Sequence, residues 1–367
     1  MTQQISLFEE EKVRLAAEDA DNIKSVMPPK DIVAFNELRS CADLYRLKSK
    51  GQLDLNPDFQ RGIVWSNKSQ TLFVDSLIKQ LPIPSLCISL DINTQKRLVI
   101  DGLQRISTIV KFLNDQEDWK LSKTDDVDDR ISGKKRSEIQ RDNNNLYEIF
   151  ENATIPVTVL RCDYTNKTHM EYLFQIFHRL NSGGNKLFNQ EIRNCIYQGT
   201  LNTFLKYLVR TDIWKTFANV TDERIEKSRF ENEELLLRFY AFYFKLDEYK
   251  GKLALFLNNF MEANKDIDEE AIQSYSDIIT PTLELINRCL LEEINPLSKT
   301  IIEALLIGVS RNLIVLNDMS DEKIKEKLNI MLGSEEFSQA ELSENLSQPE
   351  KVKTRLNKAI SIFSTND

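Results

Sequence analysis

Arg97-Leu98-Val99-Ile100-Asp101-Gly102-Leu103-Gln104-Arg105 leads into Ile106, Ile109, Val110 and Leu113 at helical spacing. A short apolar run, an Asp-Gly break and a 3.6-residue period read as a strand, a tight turn and a helix. The first N–H groups of a helix have no partner within it, and its dipole draws an anion to that end. Arg105 in the first turn opposes the dipole by about 0.3–1 kcal/mol, so it is easier to explain with an anion between it and the helix end. A reading without a ligand also exists: Asp101 as N-cap, with Gln104 three residues on as a variant capping box.

Upstream, the pattern from Ser40 with Leu44, Leu47 and a closing Gly51 is a short helix, and Leu53-Asp54-Leu55 alternates like a strand. Asn56 to Arg61 comes next, then Gly62-Ile63-Val64-Trp65 and a helix carrying Leu72, Phe73, Leu77 and Leu81. Between structured segments, Gln60 and Arg61 offer a guanidinium fork for a phosphate or carboxylate, or an ordinary surface ion pair. Leu81-Pro82-Ile83-Pro84 forces extended chain into Leu86-Cys87-Ile88-Ser89-Leu90, a buried strand. Met1 to Pro29 has weak periodicity and reads as a loosely held arm.

Downstream, Asp115 to Asn145 is dense in charge and poor in periodicity, an insertion or mobile loop that reads as a solvated excursion ahead of the alternative, a lid over a site. Thr154 to Cys162 is a strand, and Lys167 to Leu180 an amphipathic helix through Leu173, Phe174 and Phe177. That helix stops at Asn181-Ser182-Gly183-Gly184, where the glycines serve as a helix terminus and Arg179 and Asn181 suit an anion or a base edge. From Asn189 the chain is helical almost to its end, with periodic runs at Glu233 to Leu246, Ala271 to Leu291, Ile301 to Leu316 and Val352 to Phe363. Tyr240, Phe242, Tyr243 and Phe244 are expected in its core.

Composition narrows the classes. A chain of 367 residues with 41% apolar content can bury more than one core. A net charge of -9 argues against a generally basic nucleic-acid surface and leaves room for a local groove. Cys41, Cys87, Cys162, Cys195 and Cys289 form no Cys-x-x-Cys pair and read as buried thiols of a reducing compartment. Neither a leader pattern nor an apolar run of membrane length is seen, so the expectation is a soluble, cytoplasmic protein. A Gly-x-x-x-x-Gly-Lys-Ser/Thr phosphate loop and a zinc-type cysteine cluster are both lacking.

Three segments in order carry a resemblance: Pro57 to Trp65 with Gln60-Arg61, Asp101 to Arg105, and Phe177 to Gly184 followed by Glu191, Arg193 and Asn194. Together, over about Ser40 to Asn194, they resemble the N-terminal domain of GmrSD-type modification-dependent restriction enzymes, a branch of the ParB and sulfiredoxin-like superfamily. The resemblance implies a small mixed-sheet ParB/sulfiredoxin-like domain over 31–190 with the charged insertion near 115–150; with the arm over 1–30 and the all-helical domain over 191–367 that periodicity indicates, the expected class is α+β. It ties the family's Asp-Gly-Gln-Gln-Arg motif to nucleotide binding and hydrolysis. Here Leu103 stands where the family has Gln, which weakens hydrolysis if that Gln positions water or phosphate. Only His169 and His178 exist, both in the Lys167 to Leu180 helix, so the family's carboxy-terminal His-Asn-His nuclease is not expected.

Roles follow. Asp101, Gln104 and Arg105 are the catalytic candidates, with Asp101 either on Mg²⁺ or capping its helix. Gln60, Arg61, Gly102, Arg179 and Asn181 are expected around the phosphates of an NTP. His178 reads as a base or as ordinary surface, and Cys87 and Cys162 as nucleophiles or as core. The first hypothesis is an NTP-binding, hydrolysing switch of an anti-phage restriction system, acting with DNA, modified or plain, or with a separate nuclease subunit. The second is a non-catalytic protein gripping DNA backbone with the same pocket. Direct nuclease action ranks third.

Overall fold

The computed structural model describes residues 28–55, 65–180, 187–294, 297–343 and 345–364. The chain divides between Leu187 and Phe188 into two compact units. In the first lie strands β1 (Val33–Ser40), β2 (Leu53–Asp54), β3 (Leu86–Asp91), β4 (Arg97–Asp101) and β5 (Thr154–Cys162). Its helices are α1 (Cys41–Ser49), α2 (Asn67–Ile78), α3 (Leu103–Leu113), α4 (Arg136–Asp142), α5 (Asn144–Asn152) and α6 (Lys167–Leu180). The sheet runs β1-β5-β3-β4-β2. Pairs β1/β5 and β3/β4 are antiparallel, while β5/β3 and β4/β2 are parallel. A small mixed sheet followed by helices is the expected α+β class.

Strand alternation divides the side chains between two faces. Leu86, Ile88, Val99, Ile155, Val157 and Val159 join the core under α1, α2, α3 and α5. The intervening Cys87, Leu98, Ile100, Leu160 and Cys162 are buried as well. On that second face α6 packs against β4, burying Met170, Leu173, Phe174 and Phe177. Covering on both sides makes β3 and β4 near-continuous apolar runs, which is why they are legible as strands.

Three local expectations change. The helix expected to carry Leu81 ends at Ile78; Gln80 takes a left-handed φ of 53° and Leu81 lies beyond, half exposed. Strand β1 went unforeseen because most of its residues are exposed, so no apolar alternation marks it. The third concerns residues 115–150, which are not a solvated excursion. They contain α4 and α5 and bury Trp119, Leu121, Val127, Ile131, Ile139, Leu146, Tyr147 and Phe150. Phe112 of α3 sits among them, 4.4 Å from the Phe150 ring centroid. Polar links pin the segment to α2: Trp119 Nε1 donates to Asn67 Oδ1 (2.6 Å), Ser122 N to Thr71 Oγ1 (2.9 Å) and Asp128 N to Asp75 Oδ1 (2.9 Å). Its apolar residues occur singly among charges, so each anchors irregular chain without a period to betray it.

In the second unit the periodic runs are helices, among them Glu231–Lys245, Glu269–Cys289, Lys299–Ser310 and Pro349–Ser364. Tyr240 and Phe242 are core, as expected, whereas Phe244 in the last turn is 41% exposed and stacks on Tyr275 with centroids 5.0 Å apart. Polar residues penetrate this core, where Arg238 Nε donates to Glu303 Oε2 at 2.5 Å.

Replacing Phe150 with Ala is expected to cost about 3–5 kcal/mol in urea unfolding of the full chain, as for other buried aromatics. A solvated loop would lose within about 0.5 kcal/mol, and that result would refute the core assignment.

Candidate functional site

Strand β4 delivers the turn. The β3/β4 register shifts between Cys87 and Ile88, so that Ile88 faces Val99 while Cys87 faces Asp101. A bulge of this kind re-aims the residue at the strand end. Gly102 then turns the chain with φ 98° and stands as the N-cap of α3, with no side chain capping the helix. Any Cβ at Gly102 would lie 2.2 Å from Leu86 Cδ2 and 3.1 Å from the Arg105 guanidinium. Glycine is therefore demanded twice, by the backbone angle and by space.

Asp101 is not the cap. Its carboxylate accepts from Arg105 Nη2 at 2.8 Å. The anion that an arginine in a first helical turn asks for is thus supplied by the residue four positions earlier. Arg105 Nη1 also donates to the Pro84 carbonyl and, at 3.4 Å, to that of Ser85. With its side chain only 13% exposed, the guanidinium is held as a fork between a strand end and the proline-rich strap before β3. Gln104 Oε1 accepts from Trp65 N (3.1 Å), which leaves its amide nitrogen as a donor. Leu103 is half-buried and packs against the core.

The site nevertheless keeps open valence. Asp101 is 42% exposed at its side chain, with one oxygen engaged by Arg105. Arg179 is exposed in the last turn of α6. That helix begins just past the Cys162 end of β5 and packs on β4. Its 14 residues reach about 21 Å, against the roughly 17 Å that five strand residues span. Turning back along the sheet, it carries His178 and Arg179 toward the end where Asp101 lies. Gln60, Arg61 and Asn181, expected beside them, lie outside the described residues.

His169 is a structural clasp. Its Nδ1 accepts from Asp163 N (3.0 Å), so the ring proton sits on Nε2, which faces Asp31 Oδ1 at 3.0 Å. Cys87, opposite Asp101, is pushed up to about 12 by burial first and by that carboxylate second; burial does the same to Cys162. Both stay thiols at neutral pH, as expected of core residues rather than nucleophiles. All five cysteines are free and buried. Among the described residues no group of three His, Cys, Asp or Glu could hold a metal ion, and no helix is long and apolar enough to cross a membrane.

Residues 41–198 match the family model of the GmrSD restriction endonuclease, N-terminal domain. Over that segment the chain is similar to the GmrSD N-terminal domain. Neither the curated proteins nor the solved structures gave a match. The matched GmrSD segment begins with α1, omits β1 and runs past Leu187 to include α7 (Asn189–Ile196), the first helix of the second unit.

All eight residues of α7 are buried, five of them polar or charged. Glu191 Oε2 accepts from Phe188 N (2.7 Å) and from Arg229 Nη2 (2.6 Å), and the Arg229 guanidinium lies 4.0 Å from the Phe188 ring centroid. Arg193 donates through Nε to Asn258 (2.8 Å) and through Nη1 to Gln190 (3.1 Å), and pairs with Glu234 at 3.4 Å. Of the residues that carry the resemblance, Glu191 and Arg193 therefore lock α7 into the helical unit, while Asn194 Oδ1 accepts from Gln190 within α7. Sequence reasoning missed the carbonyls of Pro84 and Ser85 as holders of Arg105, because backbone acceptors leave no side-chain signature. The Pro82-Ile83-Pro84 spacing was the available signal.

Gly102→Ala is expected to destabilise the fold by about 2–4 kcal/mol in urea unfolding, from the left-handed angle and the Leu86 overlap together. An unchanged midpoint would mean that the turn is not held as described.

Proposed function

We propose that the Asp101 to Arg105 turn binds the phosphates of a nucleoside triphosphate accompanied by Mg²⁺. In this reading the protein is a nucleotide-dependent sensor or switch of a restriction system, acting with DNA or with a separate nuclease subunit. One observation carries it: α3 opens at a left-handed glycine with no side-chain cap, beside an arginine already oriented by an acid. Backbone donors at such an end suit phosphate oxygens.

The residues divide the work. Gly102 lets the ligand approach the backbone closely. The Gln104 amide, its oxygen occupied by Trp65, presents N–H to a phosphate oxygen. Arg105 supplies positive charge that Asp101 and the strap keep in place, and Arg179 adds a second cation. Gln60, Arg61 and Asn181 complete the proposed ligand set. The free oxygen of Asp101 suits a Mg²⁺ carried on the phosphates, since such ions need only one or two protein carboxylates and keep several waters. When bound, Mg²⁺ neutralises phosphate charge. Leu103 has no hydrogen-bonding group to place a water, which favours tight binding with slow hydrolysis.

Phosphate release from ATP, GTP, CTP and UTP with Mg²⁺, with and without plain or modified DNA, tests the reading beside equilibrium binding. Arg105→Lys and Arg105→Ala are expected to weaken NTP binding at least tenfold, the loss of a charge-assisted contact. Leu103→Gln is expected to raise turnover while leaving affinity unchanged. No binding of any NTP, together with DNA affinity that falls steeply with salt, would replace this reading with the DNA-gripping one.

A further inference from the structure

A groove of about 550 Å³ opens in the first unit between the end of α2, helix α5 and the start of β5. It falls within the 300–1,000 Å³ typical of small-ligand sites. We propose that this groove seats the guanine base of a GTP whose phosphates lie at the Asp101 to Arg105 turn; the proposal rests on the nucleotide reading above.

Position comes first. Ile83 lines the groove, and the carbonyl of the next residue, Pro84, holds Arg105. Two residues of extended chain reach at most about 7 Å. Pro82 and Pro84 fix the φ angles of this strap, so the groove and the arginine keep a set separation. The strands agree: Thr154 at the groove opens β5, and Leu86, after the strap, opens β3 alongside it in parallel register. Groove and turn therefore share one end of the sheet.

Chemistry comes second. Leu77, Ile83 and Ile149 give the groove branched apolar walls suited to the faces of a flat ring. Its polar lining is three amides, Gln80, Asn145 and Asn152, one hydroxyl, Thr154, and one carboxylate, Glu148. Glu148 Oε1 accepts from Asn144 Nδ2 at 2.7 Å, which steadies the carboxylate from the side. An ionised carboxylate only accepts hydrogen bonds. Guanine alone among the four bases presents two adjacent donors on its pairing edge, the ring N1–H and the exocyclic N2 amine. Adenine turns a lone pair to the same place, and the pyrimidines offer a single donor there. The amides then have N–H groups for the guanine O6.

Gln80 supplies an independent sign. It holds a left-handed φ of 53° directly after α2, where glycine is the common solution. A glutamine there accepts backbone strain while lining the groove.

Equilibrium binding of GTP, ATP, CTP, UTP and inorganic tripolyphosphate to the full chain tests the proposal, with Glu148→Gln and Gln80→Gly as variants. Wild type is expected to bind GTP at least tenfold more tightly than ATP. Glu148, exposed on α5, can be changed without loss of the fold; Glu148→Gln should abolish the preference while leaving tripolyphosphate affinity unchanged. Gln80→Gly should raise the urea midpoint yet weaken GTP binding, a split that a purely structural residue would not give. Equal affinity for the four nucleotides, or a preference that survives Glu148→Gln, overturns the base site and leaves the phosphate site standing. No binding of any nucleotide or of tripolyphosphate overturns both.

Discussion

The Arg105 guanidinium binds together the end of β4, the start of α3 and the strap that enters β3. Each contact depends on the others. Asp101 reaches Arg105 because the bulge opposite Cys87 re-aims the strand end, and Arg105 lies over Gly102 because that residue has no side chain. The carbonyls of Pro84 and Ser85 engage Nη1, so a charge that opposes the helix dipole becomes part of the structure. Local geometry at the turn is thereby over-determined.

A second constraint governs the helical unit. Helix α7 is buried on all sides yet carries Gln190, Glu191, Arg193 and Asn194. Buried charges are tolerated when they are paired and hydrogen-bonded, and losing one partner typically costs about 3–5 kcal/mol. Arg193 with Glu234 and Asn258, and Glu191 with Arg229, meet that condition. Because the GmrSD-matched segment ends just past α7, the order of motifs that carries the resemblance spans both units in sequence. The motif residues thus divide into two kinds: those of the turn, partly exposed, and those of α7, committed to packing.

Much of the fold was readable wherever burial imposes a period. β5, α3 and α6 bury regular faces, and their residues repeat accordingly, while β3 and β4, covered on both sides, read as continuous apolar runs. The edge strand β1 was unreadable, since its mostly exposed residues carry no alternation. Residues 115–150 misled for the opposite reason. Their charges are at the surface, while isolated residues such as Trp119 and Ile131 are sunk in the core, and single anchors carry no period.

Sequence alone determined that Asp101, Gly102, Gln104 and Arg105 form a strand-turn-helix junction and that a helical region follows, because local stereochemistry and periodicity act over a few residues. Tertiary structure decided what Arg105 pairs with. It also decided that Asp101 answers the arginine instead of capping the helix, and that Glu191 and Arg193 are buried fixtures. Those outcomes depend on Pro84, Leu86, Arg229, Glu234 and Asn258, residues from 16 to 65 positions away from their partners. Long-range packing sets such partners, and no local pattern encodes them.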